Sequence, residues 1–300
     1  MISCPFFSRT SLRFLLTFAA ACSLHALHAE TPTPTPSPTP QTVLANIATR
    51  LKVETGDDIL IAGFIITGTQ DKKVIIRAIG PSLTVADKLE NPTLELRDLS
   101  TGTLLKQNDD WMNSAPADRQ AVIDSTIPPT NDLESALVAT LPANSSSYTA
   151  IVRGVNDTAG VGVVEVYDLD TNADSRLANI STRGLVQTGD TILIAGTIVV
   201  GPGSRNVIIR AIGPSLPFAG ALADPTLELR DQNGALLQAN DNWVDSPNKQ
   251  AIIDSTIPPT NDLESAIVAS LPANGASYTA IVRGVNDTTG IAVVEVYALQ

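Results

Sequence analysis

The sequence contains the same set of segments twice, and this duplication limits the folds open to the chain. VIIRAIGPSL occupies residues 74–83 and again 207–216, while IDSTIPPTNDLESA begins at Ile123 and again at Ile253. The spacing between copies is far longer than the roughly 20–50 residues of a solenoid repeat, and it is close to one ordinary domain. The sequence therefore predicts two copies of one domain, at residues 44–170 and 177–300.

Within each copy the pattern is typical of β-strands. Residues 59–67 and 73–79 are β-branched runs of strand length, and residues 93–97 alternate between apolar and polar side chains. Only residues 118–125 and 133–141 are predicted to carry a helical turn. We expect an all-β protein of two tandem antiparallel β-sandwich domains, jelly-roll-like in type. A β-helix is the weaker alternative, because no short period appears within a copy.

A charged residue interrupts two apolar strands of each copy. Arg77 lies within VIIRAI and Glu165 within VVEVY, and Arg210 and Glu295 hold the same positions in the second copy. A buried charge has to be paired, because its transfer out of water is costly. Our hypothesis is that each arginine meets the glutamate of its own copy. The alternative is that both side chains point to solvent.

Residues 1–29 have the features of a signal peptide. Arg9 precedes a short apolar run at 14–23 that is too short to cross a bilayer comfortably, and Ala29 is a candidate cleavage point. Cys22 is a candidate lipidation site in the alternative interpretation. We therefore expect a protein that is secreted or held in the cell envelope, in the periplasm or on the outer surface.

A Thr/Pro-rich linker at residues 30–43 follows this segment. Its core, TPTPTPSPTP, has proline at alternate positions, which keeps a chain extended at about 3 Å per residue. Such a spacer predicts that the two domains stand away from whatever holds the N-terminus. The cleaved, lipidated and retained forms of that terminus all remain open.

Both cysteines and both histidines lie in the predicted signal, at Cys4, Cys22, His25 and His28. Cleavage after Ala29 would leave a mature chain that has neither residue type. This excludes disulfides, Ser-His-Asp and Cys-His nucleophilic sites, and the usual ligands of zinc, copper and haem. The net charge of −12 argues against nucleic acid as a partner and suits a hard cation such as calcium.

Several short segments in the second half of each copy form a recognisable series. In the second copy they are DPTLELRD at 224–231, ESAIV at 264–268, LPA at 271–273 and YTAIV at 278–282, and in the first copy Asn91 stands in place of Asp224. The series resembles the bacterial pre-peptidase C-terminal domain, a secreted β-sandwich module, over about half of each copy. This resemblance implies a non-catalytic module of the kind that accompanies an enzyme domain and assists substrate binding or secretion.

A polar loop with the sequence Asn-Asp-Asp/Asn-Trp is the candidate metal site. Its residues are Asn108, Asp109 and Asp110 in the first copy, and Asn240, Asp241 and Asn242 in the second. Calcium takes six to eight oxygen ligands, so further oxygens are needed. The candidates for these are Asp124, Asp132 and Glu134, with Asp254, Asp262 and Glu264 in the second copy. The alternative is that Asn and Asp form Asx turns at a hairpin end. The Asn-Asp pairs at 156–157 and 286–287 are predicted to be plain turns.

The two tryptophans of the chain, Trp111 and Trp243, directly follow these loops. Each is a candidate platform on which a sugar ring would stack. The alternative is a lid packed on the domain core.

Taken together, the sequence predicts a non-catalytic binding or adhesion protein with polysaccharide or an extracellular protein as its partner, assisted by calcium. It predicts no catalytic residues and no membrane span in the mature chain. A structural component of the envelope or matrix is the first alternative. A glycoside hydrolase that uses the carboxylates of Asp124, Asp132 and Glu134 is the second.

Overall fold

The computed structural model describes residues 41–56, 58–143 and 147–299. The predicted signal, the lipidation candidate Cys22 and most of the Thr/Pro-rich linker lie outside the described residues. Residue contacts group residues 39–300 into one unit. No helix within the described ranges is long and apolar enough to cross a membrane.

Each copy contributes eight strands and one short α-helix, in the same order. The first copy contains β1 (Val43–Val53), β2 (Leu60–Gly68), β3 (Lys72–Ile79), β4 (Pro92–Asp98), β5 (Leu104–Asn108), α1 (Pro116–Asp124), β6 (Ser135–Leu141), β7 (Ser147–Gly154) and β8 (Gly160–Asp168). The second contains β9 (Ser175–Val186), β10 (Leu193–Val200), β11 (Ser204–Ile212), β12 (Pro225–Arg230), β13 (Leu236–Asn240), α2 (Lys249–Asp254), β14 (Ser265–Pro272), β15 (Ser277–Gly284) and β16 (Gly290–Ala298). The protein is all-β, as the sequence predicts.

All sixteen strands belong to one hydrogen-bonded sheet whose ladders are antiparallel. The sheet consists of two runs of eight strands. One run has the order β6-β3-β8-β1-β10-β15-β12-β13, and the other β14-β11-β16-β9-β2-β7-β4-β5. The runs meet at a single pair, Leu44 with Leu177. An antiparallel ladder of this kind is not that of a parallel β-helix.

Strand pairing crosses the boundary between the two copies. β1 lies between β8 of its own copy and β10 of the other. In the same way, β9 lies between its own β16 and β2 of the first copy. Each eight-stranded run is therefore half first copy and half second copy. The first strand of each copy joins the two halves.

The contacts between the copies follow a pseudo-twofold axis. Residues at equivalent positions meet each other there: Leu44 pairs with Leu177, and the Thr49 and Thr182 hydroxyls lie 2.8 Å apart in a buried hydrogen bond. The pseudo-twofold symmetry is broken at one pair of equivalent residues near this axis, Leu51 and Gly184. A Cβ atom placed on Gly184 would overlap the side chain of Leu51, its own counterpart. The axis region thus holds one leucine where identical copies would have two.

One apolar cluster extends through both copies. It contains buried residues of the first-copy strands and of the second-copy strands, including Leu51, Phe64, Leu96, Ile209 and Leu229. The alternation predicted for residues 93–97 is present, with Leu94 and Leu96 buried and their neighbours partly exposed. The core, like the strand pairing, is shared between the copies.

Most predicted strands are present, and one of the two predicted helical turns is wrong. α1 covers the predicted turn at residues 118–125. Most of the other predicted turn, 133–141, instead forms β6 (Ser135–Leu141), in which the side chains of Leu137, Ala139 and Leu141 point into the shared core. Leucine and alanine favour helices, but β6 completes a ladder with β3 and buries this apolar face.

The arginine–glutamate hypothesis is confirmed in both copies. Arg77 Nε donates to Glu165 Oε2 at 2.9 Å, and Arg210 Nε donates to Glu295 Oε2 at the same distance. Both ion pairs are largely buried. Burial, together with the Glu165 carboxylate, raises the pKa of Tyr167 beside the first pair to about 12.

Candidate functional site

The first residue of each Asn-Asp loop is used by the fold. Asn108 lies at the end of β5, where its Oδ1 accepts a hydrogen bond from the Ala136 backbone at 2.8 Å and its Nδ2 donates to Ser114 Oγ at 2.9 Å. Asn240 accepts from the Ala266 backbone in the same way. These asparagines anchor the loop to β6 and β14. Neither bond to Ala136 or Ala266 is an Asx turn, because an Asx turn joins a side chain to the backbone two residues further on.

The next two residues of the first-copy loop, Asp109 and Asp110, lie beside the chain that enters β4. The Ser135 hydroxyl ties these segments together, because it donates to Pro92 O at 2.7 Å and to Asn108 O at 3.1 Å. The Oδ1 atoms of Asn91 and Asp110 are buried, and no donor among the described residues reaches them. Buried oxygens without a partner are costly, so they mark a place where a donor or a cation would be stabilising.

The second copy has the same arrangement with Asn and Asp exchanged. Asp224 replaces Asn91, and Asn242 replaces Asp110, and the Oδ1 atoms of both are again buried without a described donor. Ser265 Oγ donates to Pro225 O at 2.6 Å and so holds the same two segments together. Each copy therefore keeps two carboxylates and one amide in this region, although their positions differ.

The carboxylates of these loops influence each other. Burial raises the pKa of Asp109, and the charge of Asp110 raises it further. Burial likewise raises the pKa of Asp224, with a further contribution from Asp241. The two acids of each pair are thus close enough to repel, and a bound cation would relieve that repulsion.

A polar cleft of about 540 Å³ opens at the first-copy loop. Its walls come from β4, from the end of β5 and from the turn that follows. The lining residues are Thr93, Leu94, Glu95, Gln107, Asn108, Asp109, Asp110, Asn113 and Ser114. Carboxylate, amide and hydroxyl groups dominate this lining, so the cleft suits a polar ligand such as a sugar.

The donor set fits calcium in kind but is incomplete. Two carboxylates and an amide per copy are hard oxygen ligands, yet calcium requires six to eight oxygens in total. Backbone carbonyls and water would have to supply the rest. No group of three or more His, Cys, Asp or Glu side chains is arranged for a metal within the described part of the chain.

The tryptophans lie where the lid alternative places them. Trp111 is only 7% exposed and packs with Ile75 and Val122, and its indole N–H donates to Asn131 O at 3.1 Å. Trp243 is half-buried and makes the same bond to Asn261 O at 3.0 Å. A ring packed in this way offers little face for stacking, so the polar side chains of the loop are the better candidates for ligand contact.

Glu134 and Glu264, which the sequence offered as ligands or catalytic acids, are fully buried. Glu134 Oε1 accepts from the backbones of Gly80 and Ser82 at 3.2 and 3.0 Å, and from Ser82 Oγ at 2.5 Å. Its Oε2 accepts from Asn131 N at 3.3 Å. With its oxygens committed to these donors, each carboxylate holds two loops together and faces no substrate.

This role of the glutamates explains the repeated RAIGPSL and TNDLES segments, and the sequence prediction missed it. Glu264 makes the same set of bonds to Gly213, Ser215 and Asn261. The sequence feature that could have revealed this role is that both segments are identical in the two copies. Asp124 and Asp254 are exposed at the ends of α1 and α2, where they accept bonds from Gln120 and Gln250.

The pairs at 156–157 and 286–287 are tight turns, as predicted. Asn156 and Asp157 both have φ near +55°, and Asn286 and Asp287 repeat this geometry. Two successive left-handed residues form the type of turn that joins antiparallel strands tightly. They connect β7 to β8 and β15 to β16.

No protein-family model and no curated protein matches the chain. Among solved structures, it is similar to isomalto-dextranase of Arthrobacter globiformis T6 complexed with panose, at 12% identity and a TM-score of 0.22, over 82% of this chain and 36% of that one. It is also similar to a DUF4785 family protein of Legionella pneumophila, at 10% identity and a TM-score of 0.24, over 86% of this chain and 84% of that one. The chain thus spans about a third of the dextranase. TM-scores this low carry no argument about fold or function.

Proposed function

We propose that this is an exported, non-catalytic binding protein that recognises a polysaccharide or an extracellular protein through the duplicated Asn-Asp loops. The observation that carries the proposal is the polar cleft beside Asp109 and Asp110, where buried oxygens lack a donor among the described residues. The exchange of Asn and Asp between the copies supports it, because the charge of the region is kept while the individual residues change.

We also propose that each copy is a two-layer sandwich. Strands β6, β3, β8 and β1 would face β5, β4, β7 and β2, and the second copy would repeat the arrangement. The apolar cluster shared by both sets of strands supports this layering. Two sites on one rigid unit would raise overall affinity by about 10²–10⁴ if a single ligand reaches both.

We propose that a bound calcium ion supports ligand binding. The carboxylates of Asp109 and Asp110, and of Asp224 and Asp241 in the second copy, would hold the cation, and amide and backbone oxygens would supply further ligands. Burial raises the pKa values of Asp109 and Asp224, the neighbouring carboxylates raise them further, and the charge of the cation would offset that repulsion. The predicted N-terminal signal and Thr/Pro-rich linker support export.

Calcium-dependent retention on one class of insoluble ligand is the expected result for the purified protein. Columns of polysaccharide or matrix protein would be run with calcium and then with EDTA. At calcium concentrations about 100-fold above Kd, the stability of the protein should rise by about 2.7 kcal/mol per site. Asp109→Asn with Asp241→Asn should abolish both effects.

The matched control is Asp132→Asn with Asp262→Asn, which removes the same charge from exposed positions outside the cleft. This control should leave retention and the calcium effect unchanged. Absence of retention on every matrix, with the same melting temperature in calcium and EDTA, would reject the proposal. The structural-component alternative would then replace it.

A further inference from the structure

Each end of the sheet carries a second cleft, distinct from the Asn-Asp loops. In the second copy it has a volume of about 410 Å³ and lies between the edge strands β13 and β14. Its apolar walls are formed by Leu229, Leu237, Leu271 and Tyr278, among others. Leu237 is 47% exposed at its mouth. The first copy has the equivalent cleft, of about 520 Å³, between β5 and β6.

The strands that border these clefts have free edges. Among the described strands, β5, β6, β13 and β14 each pair with one neighbour only. At the start of β6 and β14, Ala136 N and Ala266 N donate to Asn108 Oδ1 and Asn240 Oδ1. The outward N–H and C=O groups further along these edges have no strand partner among the described residues, which is the usual template for adding an extended peptide. The cleft between the edges would receive the side chains of such a peptide.

One residue makes the two ends different. In the first copy, Lys106 Nζ donates to the outward carbonyl of Val138 on β6 at 3.0 Å and pairs with Asp118. A lysine on an edge strand is a common protection against strand addition. The second copy has Gln238 at this position, and no described donor reaches the equivalent carbonyl of Val268. The β14 edge is thus the more open of the two.

The charge of the second-copy cleft favours a cationic ligand. None of its lining residues is basic, and Asp231 lies at its rim. Asp231 Oδ1 accepts from the backbones of Asn233 and Ala235, while Oδ2 has no described donor. The Asp231 charge, after the larger effect of burial, raises the pKa of Tyr278, which places the carboxylate close to the cleft wall.

We propose that the second-copy cleft binds an extended polypeptide in which apolar and basic residues alternate, and that this peptide adds to the β14 edge as a further strand. Apolar side chains would fill the space between Leu237 and Leu271, and a basic side chain would reach Asp231. Backbone hydrogen bonds along β14 would set the register. This site is independent of the proposed Asn-Asp site, and either can fail without the other.

The probe is a fluorescein-labelled hexapeptide of alternating arginine and valine, with its ends blocked, titrated with the purified protein and followed by fluorescence polarisation. A second peptide has the same sequence but is N-methylated at alternate amides. It keeps the charge and loses the backbone donors. Because each lost hydrogen bond contributes about 0.5–1.5 kcal/mol, the methylated peptide should bind at least about tenfold more weakly. Attraction of a cation to an acidic protein would instead affect both peptides equally.

The protein variants test the location of the site. Gln238→Lys, which copies the first-copy lysine, should weaken binding about tenfold by blocking the edge. Asp231→Asn should weaken it about two- to fivefold, the usual effect of an exposed charge pair. Lys106→Gln should add a second binding site. As a matched control, Gln250→Lys adds the same charge at an exposed position on α2, outside the clefts described above, and should change little.

Amide chemical-shift changes confined to β13 and β14 would support strand addition. Equal binding of both peptides, no response to Gln238→Lys, or shift changes confined to the Asn-Asp loops would each overturn the proposal. Concentration-dependent oligomers without peptide binding, lost on Gln238→Lys, would also overturn it, since the occupant would then be a second copy of the chain.

Discussion

Gly184→Leu is expected to destabilise the protein strongly, and adding Leu51→Gly to the same chain is expected to restore most of the lost stability. A side chain at residue 184 has no room, because a Cβ there would overlap the side chain of Leu51. Leu51 is fully buried in the shared core. The two positions are equivalent in the copies, so exchanging their residues should return one leucine to the same space on the other side of the axis.

The expected magnitudes separate the three variants. Gly184→Leu should cost about 3 kcal/mol or more, at the upper end of overpacked cores. Leu51→Gly should cost about 4–5 kcal/mol, from the cavity and from glycine in a strand. The double variant should unfold within about 1.5 kcal/mol of the parent protein, which is a large departure from additivity. Urea midpoints at unchanged slope would measure this.

The matched control is Gly196→Ala, a glycine in a neighbouring strand. A Cβ at this position meets nothing closer than 3.8 Å, so the substitution should be tolerated. If the double variant were as unstable as the sum of the single variants, the two residues would not share a space. The pseudo-twofold contact between the copies would then be wrong.

Glu264→Gln is expected to destabilise the protein by about 2–4 kcal/mol. Both oxygens of the carboxylate accept from donors: Gly213 N, Ser215 N and Ser215 Oγ on one oxygen, and Asn261 N on the other. A glutamine has only one oxygen, so its NH₂ group would face at least one buried N–H. Loss of a charge-assisted bond and an unsatisfied donor together account for the expected cost.

Glu228→Gln is the control, because Glu228 is partly exposed and pairs with Arg230 at the surface. That change should cost less than about 1 kcal/mol. Thermal or urea unfolding of both variants provides the comparison. A stable Glu264→Gln variant that lost a hydrolytic activity of the parent protein would contradict the structural role and restore the hydrolase alternative.

Local patterns in the sequence predicted much of the strand content. The alternation at residues 93–97 and the apolar runs at 59–67 and 73–79 each became a strand. The ion pair between Arg77 and Glu165 could also be predicted, because a buried charge needs a partner of opposite charge. The strands depend on residues that are neighbours in the chain, and the ion pair depends on the high cost of an unpaired buried charge.

The pairing of strands from different copies could not be predicted from the sequence. β1 and β9 are nearly the same sequence, and so are the strands they pair with. Pairing within a copy or between copies therefore satisfies the same local chemistry. Only the complete packing, including the single leucine at residue 51, distinguishes them.

The candidate site was predicted in part. The Asn-Asp loops do gather oxygens, but Asn91 and Asp224, which lie far from them in sequence, were not recognised as members. Glu134 was misread because a polar loop in the sequence does not reveal which donors the fold brings to it. A carboxylate that holds two loops together and one that binds a ligand have the same local sequence signal.

Urea unfolding of two single-tryptophan variants tests the central claim, that the two copies fold as one unit. Trp243→Phe leaves Trp111 as a reporter of the first copy, and Trp111→Phe leaves Trp243 as a reporter of the second. Because β1 and β9 tie the copies together, fluorescence and far-ultraviolet circular dichroism should give one coincident transition in each variant. Separate fluorescence and circular dichroism midpoints in either variant would show that the copies unfold independently and would contradict the account.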